Sequence, residues 1–189
     1  IMTKQVRLLT YSALMCALII VSTLWLKFSI PGTDMMVTTQ VFFVLLCGFL
    51  LPPKYCLYTL GAYLLLGLIG LPVFSATVGP AVIATPSFGY LISFPFSAMG
   101  VSVLSKKLSA HIWGRYVAAL LGVVISYVIA LPYIAVLKAV YLNAPLPLSA
   151  LLSAYCFAFL PLDILKAVLA AALAGRLEKP LRLSELKAV

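Results

Sequence analysis

The sequence predicts an all-α integral membrane protein of six transmembrane helices with both termini cytoplasmic, on three observations. The first is composition: of 189 residues, 65% are hydrophobic and only 9% charged, whereas a soluble domain is roughly a quarter charged. The second is spacing. Charges bracket five uncharged runs of 19, 19, 51, 22 and 24 residues, each long enough for one span of ~20 residues and the longest for two. The third is sign, with 13 Lys+Arg against 4 Asp+Glu. In a soluble chain that excess would suggest nucleic acid. In so apolar a chain, with a mean hydropathy of +1.20, it marks cytoplasmic loops, and no nucleic-acid partner is expected. Residues 1–189 read as a single membrane domain, because six spans leave no room for a soluble catalytic one.

Each element follows from its punctuation. The first span, 8–26, ends at Lys27. It is too long for a signal-peptide core and no small-residue cleavage site follows it; Ile1 ahead of Met2 reads as a foreign remnant. The second, 37–51, is stopped by Pro52-Pro53. The third and fourth, 55–71 and 88–104, flank a segment containing Pro72, Pro80 and Pro86, which cannot continue a helix. Segment 72–87 is expected to be a flexible outer lid. The fifth span is 115–142 and the sixth 148–175, broken or kinked at Pro161. With the N-terminus inside, the cytoplasmic pieces hold Lys4, Arg7, Lys54, Lys106, Lys107, Arg115, Arg176, Lys179, Arg182 and Lys187, ten of the thirteen basic residues, as the positive-inside rule requires.

Two charges stand where the bilayer makes them costly. Asp163 and Lys166 lie inside the sixth span, and each costs about 2.5–3.5 kcal/mol at a helix centre even on the lenient insertion scale. A spacing of three puts them on one helix face. If the helix restarts at Pro161, that proline takes the first helical position and Asp163 the third, where the helix dipole favours a carboxylate. A broken helix presenting polar groups inside a bundle is a common way to build a solute site. A self-satisfied structural ion pair is the rival reading, although apolar replacements are usually no less stable.

Other chemistries lack their residues. Cys16, Cys47, Cys56 and Cys156 form no Cys-x-x-Cys pair and His111 is the single histidine, so no metal site is expected. No glycine precedes a lysine, which removes the P-loop and with it an ATPase site of the chain's own. No Ser–His pair lies in a span, so no enzyme and no cofactor is expected. A solute site without an energy source implies passive transport or an energising partner. Ala13-x-x-x-Ala17 in the first span allows close approach of another helix, and Ala167, Ala170, Ala171 and Ala174 form a similar face on the last.

Gly67-Leu68-Ile69-Gly70-Leu71-Pro72-Val73-Phe74, Gly89-Tyr90-Leu91-Ile92 with Phe94, and Pro161-x-Asp163-x-x-Lys166-Ala167 resemble the BioY family, the biotin-binding S-components of energy-coupling factor (ECF) transporters. Thr39-Gln40 and Ala13-x-x-x-Ala17 extend the resemblance over nearly the whole chain. It implies a six-helix fold in a prokaryotic plasma membrane, a biotin pocket near the outer face, and partners in a transmembrane T-component and two ATPase subunits. It also implies functional roles for Asp163 and Lys166 and a T-component contact at Ala13 and Ala17. The chain departs from the family pattern at Phe88-Gly89-Tyr90, where Gly-Gly-Tyr is usual, and at Ser93, where glycine is usual; both bear on the pocket roof.

Biotin suits these residues chemically. Its ureido group carries two N–H donors and one carbonyl acceptor. Asp163 would accept from an N–H, and Lys166 would donate to the ureido oxygen or to the tail carboxylate. Phe74, Tyr90 and Tyr155 are candidate walls, Thr39 and Gln40 candidate polar contacts, and Gly89 comes with the Gly-Tyr motif. The alternatives are an S-component for another small vitamin and a ligand-free scaffold subunit.

Overall fold

A computed structural model describes residues 4–29, 35–75, 77–109, 111, 113–178 and 180–181. Asp34, Ala76, Lys179, Arg182 and Lys187 lie outside the described residues. Seven helices follow in order: α1 (Lys4–Trp25), α2 (Gln40–Leu50), α3 (Pro53–Leu68), α4 (Ser87–Lys107), α5 (Gly114–Val136), α6 (Leu148–Leu152) and α7 (Leu160–Leu177). A π-helical turn over Leu137–Tyr141 prolongs α5, and another over Ser153–Phe157 prolongs α6 towards α7. Among the described residues four helical stretches are long and apolar enough to cross a membrane: Lys4–Trp25, Ser87–Lys107, Gly114–Tyr141 and Leu148–Leu177.

The second and third expected spans differ from that plan. Helix α2 has 11 residues and α3 has 16, or about 16 and 24 Å at 1.5 Å per residue. The missing part of the second span is a strand. Met36–Thr38 pairs antiparallel with Lys27–Ser29, Val37 facing Phe28 across the ladder, so the fold is helical with one two-stranded ribbon rather than purely α. Three-residue strands are too short to leave a period of two in the sequence. The third span stops at Leu68 rather than 71, where Gly70 takes a φ of 103° that disfavours other residues.

Packing explains the order of burial. Helix α2 is buried along Val44–Leu50, as expected for a helix apolar all round, and it packs on α1, α4 and α7. Pro52 and Pro53 end it and open α3, where the lost N–H has no helical partner to miss. Helix α4 lies against α2, α3 and α5, and α7 against α2 and α5. The alanine face of α7 is used here: Ala167, Ala170, Ala171 and Ala174 are all buried within the chain, so it is not a free contact surface. Ala13 and Ala17 are exposed, while α1 buries Leu8, Met15 and Ile19 on its other side.

With α6 and α7 forming one stretch, Leu148–Leu177, the helices alternate in direction, which collects charge at one end. Arg7 donates to the carbonyl of Leu181 at 3.1 Å and Arg115 pairs with Glu178 at 2.9 Å, near the ends of α4 and α7 that carry Lys106, Lys107 and Arg176. The N-termini of α2, α4 and α7 gather at the opposite end.

Close approach of α2 and α4 depends on Gly48, whose added Cβ would stand 2.5 Å from the Ala98 carbonyl oxygen and 2.8 Å from Val101 Cβ. Gly48→Ala should therefore cost about 1–3 kcal/mol of overpacking and lower the melting temperature of the purified protein by several degrees. Gly61→Ala, whose Cβ would meet nothing within 4 Å, should leave it unchanged or raise it slightly, because alanine is the better helix former. A thermal-shift series on both variants checks the pair.

Candidate functional site

The site begins with a helix break. Pro161 offers no N–H to the carbonyl of Phe157, and the chain before it loosens into i→i−5 bonding, with Ala158 N–H donating to Ser153 O at 3.2 Å. Helix α7 restarts at Leu160, with Pro161 second and Asp163 fourth rather than first and third; Asp163 N–H makes the bond to Phe159 O at 3.0 Å. The restart sets Asp163 in the first turn, where the partial positive charge of the helix end favours a carboxylate.

Around the Asp163 carboxylate the polar groups are placed one by one. Lys166 Nζ donates to Oδ1 at 2.8 Å and Tyr127 Oη to Oδ2 at 2.8 Å. Side-chain exposures of 12% for Lys166 and 8% for Asp163 make this a desolvated pair, in which opposite charge and hydrogen bonds offset the burial cost. Tyr127 lies edge-on to Tyr90, centroids 5.6 Å apart at 89°, and the Tyr90 hydroxyl donates to the Tyr155 backbone carbonyl. Helices α4, α5 and α7 and the turn preceding α7 are thereby tied at one point.

Asp163 and Lys166 line a cavity of about 330 Å³ at the end of the bundle opposite Lys106, Lys107, Arg115 and Arg176, within the range of roughly 300–1,000 Å³ usual for small-molecule sites. Its floor and walls include Gln40, Val41, Tyr90, Leu91, Phe94 and Phe159. The ribbon contributes Met36 to Thr38, and the segment before α4 contributes Phe74, Ser75, Thr77, Val82 and Ala84 to Ser87. That covering segment is not a bare loop. It holds a 3₁₀ helix over Gly79–Ala84, and it is tied by Lys27 Nζ to Ser75 O at 2.7 Å, by Thr85 Oγ1 to Val82 O at 2.6 Å and by the Tyr133 hydroxyl to the Ile83 carbonyl. Gln40 Nε2 donates to Tyr63 Oη at 2.8 Å, and Tyr63 Oη donates to Val73 O at 3.1 Å. Phe74 stands edge-on to Tyr63 at 5.4 Å and covers Gly67, where a Cβ would fall 2.0 Å from the ring.

Of the residues expected at the site, the structure brings together Asp163, Lys166, Tyr90, Phe74 and Gln40. Three lie elsewhere. Thr39 precedes α2 with its hydroxyl 3.4 Å from Leu26 O, beside the ribbon. Gly89 faces α5, where a Cβ would stand 2.9 Å from Tyr133 Cδ1 and 3.0 Å from Ala130 O, so its smallness serves helix packing. Tyr155 sends its carbonyl to Tyr90, and its ring lies under Lys138, 5.8 Å from Nζ. Sequence reasoning quoted Phe94 in a motif without assigning it to the pocket, and it missed the ribbon residues, Ser87 and Phe159. Phe159 had a signal, two residues before the helix-breaking proline; Tyr127, 36 residues from Asp163, had none. Among the described residues no group of three His, Cys, Asp or Glu side chains could hold a metal.

Known proteins resemble this chain in sequence and fold. A sequence model of the BioY family matches residues 2–183. The "Biotin transporter BioY" of Lactococcus lactis subsp. cremoris is 33% identical over 178 residues, 93% of each chain. The "Probable biotin transporter BioY" of Lysinibacillus sphaericus is 34% identical over 107 residues, 56% of this chain and 55% of that protein. Among solved structures, the S-component for biotin from an ECF-type ABC transporter superposes with a TM-score of 0.80 at 32% identity, covering 95% of both chains. The family match and the likeness to the relatives extend over nearly the whole length: the chain belongs to the BioY family.

Proposed function

We propose that this chain binds biotin in the cavity and serves as the substrate-specific subunit of an ATP-driven ECF transporter in the plasma membrane. The observation that carries the reading is the desolvated Asp163–Lys166 pair opening into an otherwise uncharged, aromatic-lined cavity. A carboxylate oxygen has room for a second donor beside Lys166 or Tyr127, so Asp163 accepts a ureido N–H. Lys166 has donors to spare and turns one to a ligand oxygen. Tyr90, Phe74, Phe94 and Phe159 enclose the fused rings, and Thr38, Gln40 and Ser87 add uncharged polar contacts. A cavity of this kind gives a scaffold role nothing to do.

In this reading six passes cross the bilayer, α2 and α3 being the short ones, with both termini and the basic end in the cytoplasm. The cavity then opens outward. The chain contributes no nucleotide site, so concentrative uptake draws on ATP hydrolysis by two ATPase subunits through a transmembrane T-component. Ala13 and Ala17 suit that contact, because their face of α1 is unused within the chain and small side chains let two helix backbones approach closely.

Three outcomes test the reading. Asp163→Asn and Lys166→Ala should each weaken biotin binding about tenfold or more, since a charge-assisted hydrogen bond contributes about 1.5–3 kcal/mol; unchanged affinity by isothermal titration in both would remove them from the site. A cysteine at Ala81, exposed on the 3₁₀ helix, should react with an impermeant thiol reagent from outside the cell and more slowly with biotin present. Labelling confined to the cytoplasmic side would reverse the orientation. Ala13→Trp or Ala17→Trp should keep biotin affinity and lose T-component pull-down and ATP-driven uptake. Loss of binding and assembly together would mean that the face packs internally.

A further inference from the structure

Lys166 has two tasks in the proposed site, and they compete. In the structure it holds the Oδ1 side of Asp163 at 2.8 Å, yet it is also the cation that must turn towards a ligand oxygen. When it turns, something else has to keep the carboxylate from rotating out of its acceptor geometry. Tyr127 is built for that. Its hydroxyl reaches Oδ2 from the opposite side at 2.8 Å, it is 6% exposed, and it does not line the cavity. It sits on α5, which packs against α7, so the bond crosses between two helices. The ring itself is fixed edge-on against Tyr90, whose own hydroxyl is fixed to the Tyr155 carbonyl.

We propose that Tyr127 is a positioning residue for ligand binding: its hydroxyl holds the Asp163 carboxylate as an acceptor towards the cavity while Lys166 engages the ligand. Tyr127 touches no ligand and acts only through Asp163. The proposal rests on the reading that Asp163 accepts a ureido N–H of biotin. A neutral donor is the suitable choice, because a second cation would leave the pair with an excess positive charge that the apolar surroundings would penalise.

The test separates positioning from packing. Tyr127→Phe keeps the ring and its contact with Tyr90 and removes only the donor. Asp34 and Asp163 are the only aspartates in the chain, so carboxyl-¹³C-aspartate labelling gives two infrared carboxylate bands, and Asp163→Asn identifies which one belongs to Asp163. Tyr127→Phe should shift that band, leave the Asp34 band in place, and raise the biotin Kd about tenfold by titration. A merely structural role would lower thermal stability and leave the biotin Kd unchanged even though the band moves. An unmoved band, or a Kd within twofold of wild type, overturns the proposal. Should Tyr127→Phe aggregate, Tyr127→Phe/Asp163→Asn should be as thermostable as Asp163→Asn alone, because the buried carboxylate oxygen that lost its donor is gone; aggregation of the double variant as well would make the hydroxyl a packing requirement and overturn the proposal. If wild-type protein binds no biotin the functional reading fails first; if wild type binds and only the Tyr127 result is negative, that reading stands without this residue.

Discussion

A carboxylate and an ammonium inside an apolar bundle are the constraint on which the rest of this structure depends. Neither could stand alone there without costing several kcal/mol, and together they still need their remaining hydrogen-bonding capacity filled. Three local features answer that need. The break before α7 presents its N-terminal turn to Asp163, α5 supplies Tyr127, and α4 supplies Tyr90 to seat Tyr127. Each comes from a different helix, so the pair sets the relative placement of α4, α5 and α7 as much as their packing does. The alanine face of α7 then makes the close approach possible, because bulkier side chains would hold Asp163 away from Tyr127.

The short helices serve the same end. Because α2 spans only about 16 Å, the chain around its N-terminus is free to become ribbon and cavity wall instead of a further turn of helix. Gln40 joins wall to roof: it lines the cavity and, through Tyr63, fixes the carbonyl of Val73. A change at the Gln40 amide is therefore felt by Phe74 through one intervening hydroxyl. The roof is thus coupled to the polar interior by hydrogen bonds at its start and to α5 by the Tyr133 hydroxyl on the Ile83 carbonyl, within the 3₁₀ helix.

What the sequence made legible is what charge and proline encode. The gaps between charges, divided by prolines where a gap was too long, located the four long helical stretches to within a few residues, and Pro161 marked the break that positions the site. Asp163 and Lys166 stood out because a bilayer makes them expensive. What stayed hidden was geometry carried by neutral residues. Tyr127 is one of ten tyrosines, and only the crossing of α5 over α7 brings it to Asp163. Gly89 was legible as a motif glycine but not as the packing contact with α5. The ribbon was hidden because strands of three residues leave no periodicity, so that Thr39, between the lining residues Thr38 and Gln40, has its hydroxyl beside Leu26 O instead.

The two alanine faces show where sequence patterns run out in a physical sense. Ala13 and Ala17 on α1, and Ala167, Ala170, Ala171 and Ala174 on α7, offer the same chemistry: a smooth surface against which another backbone can close. In an aqueous protein burial would separate them by hydrophobicity, but lipid is as apolar as the residues themselves, so composition cannot distinguish an internal face from an external one. Only the fold does. Helix α7 has two neighbours in α2 and α5 and consumes its face between them, whereas α1 lies at the margin and turns Leu8, Met15 and Ile19 inward. A small-residue face left uncovered gives up the dispersion contacts that larger side chains would make with lipid, and it gains them back only when a second helix closes on it.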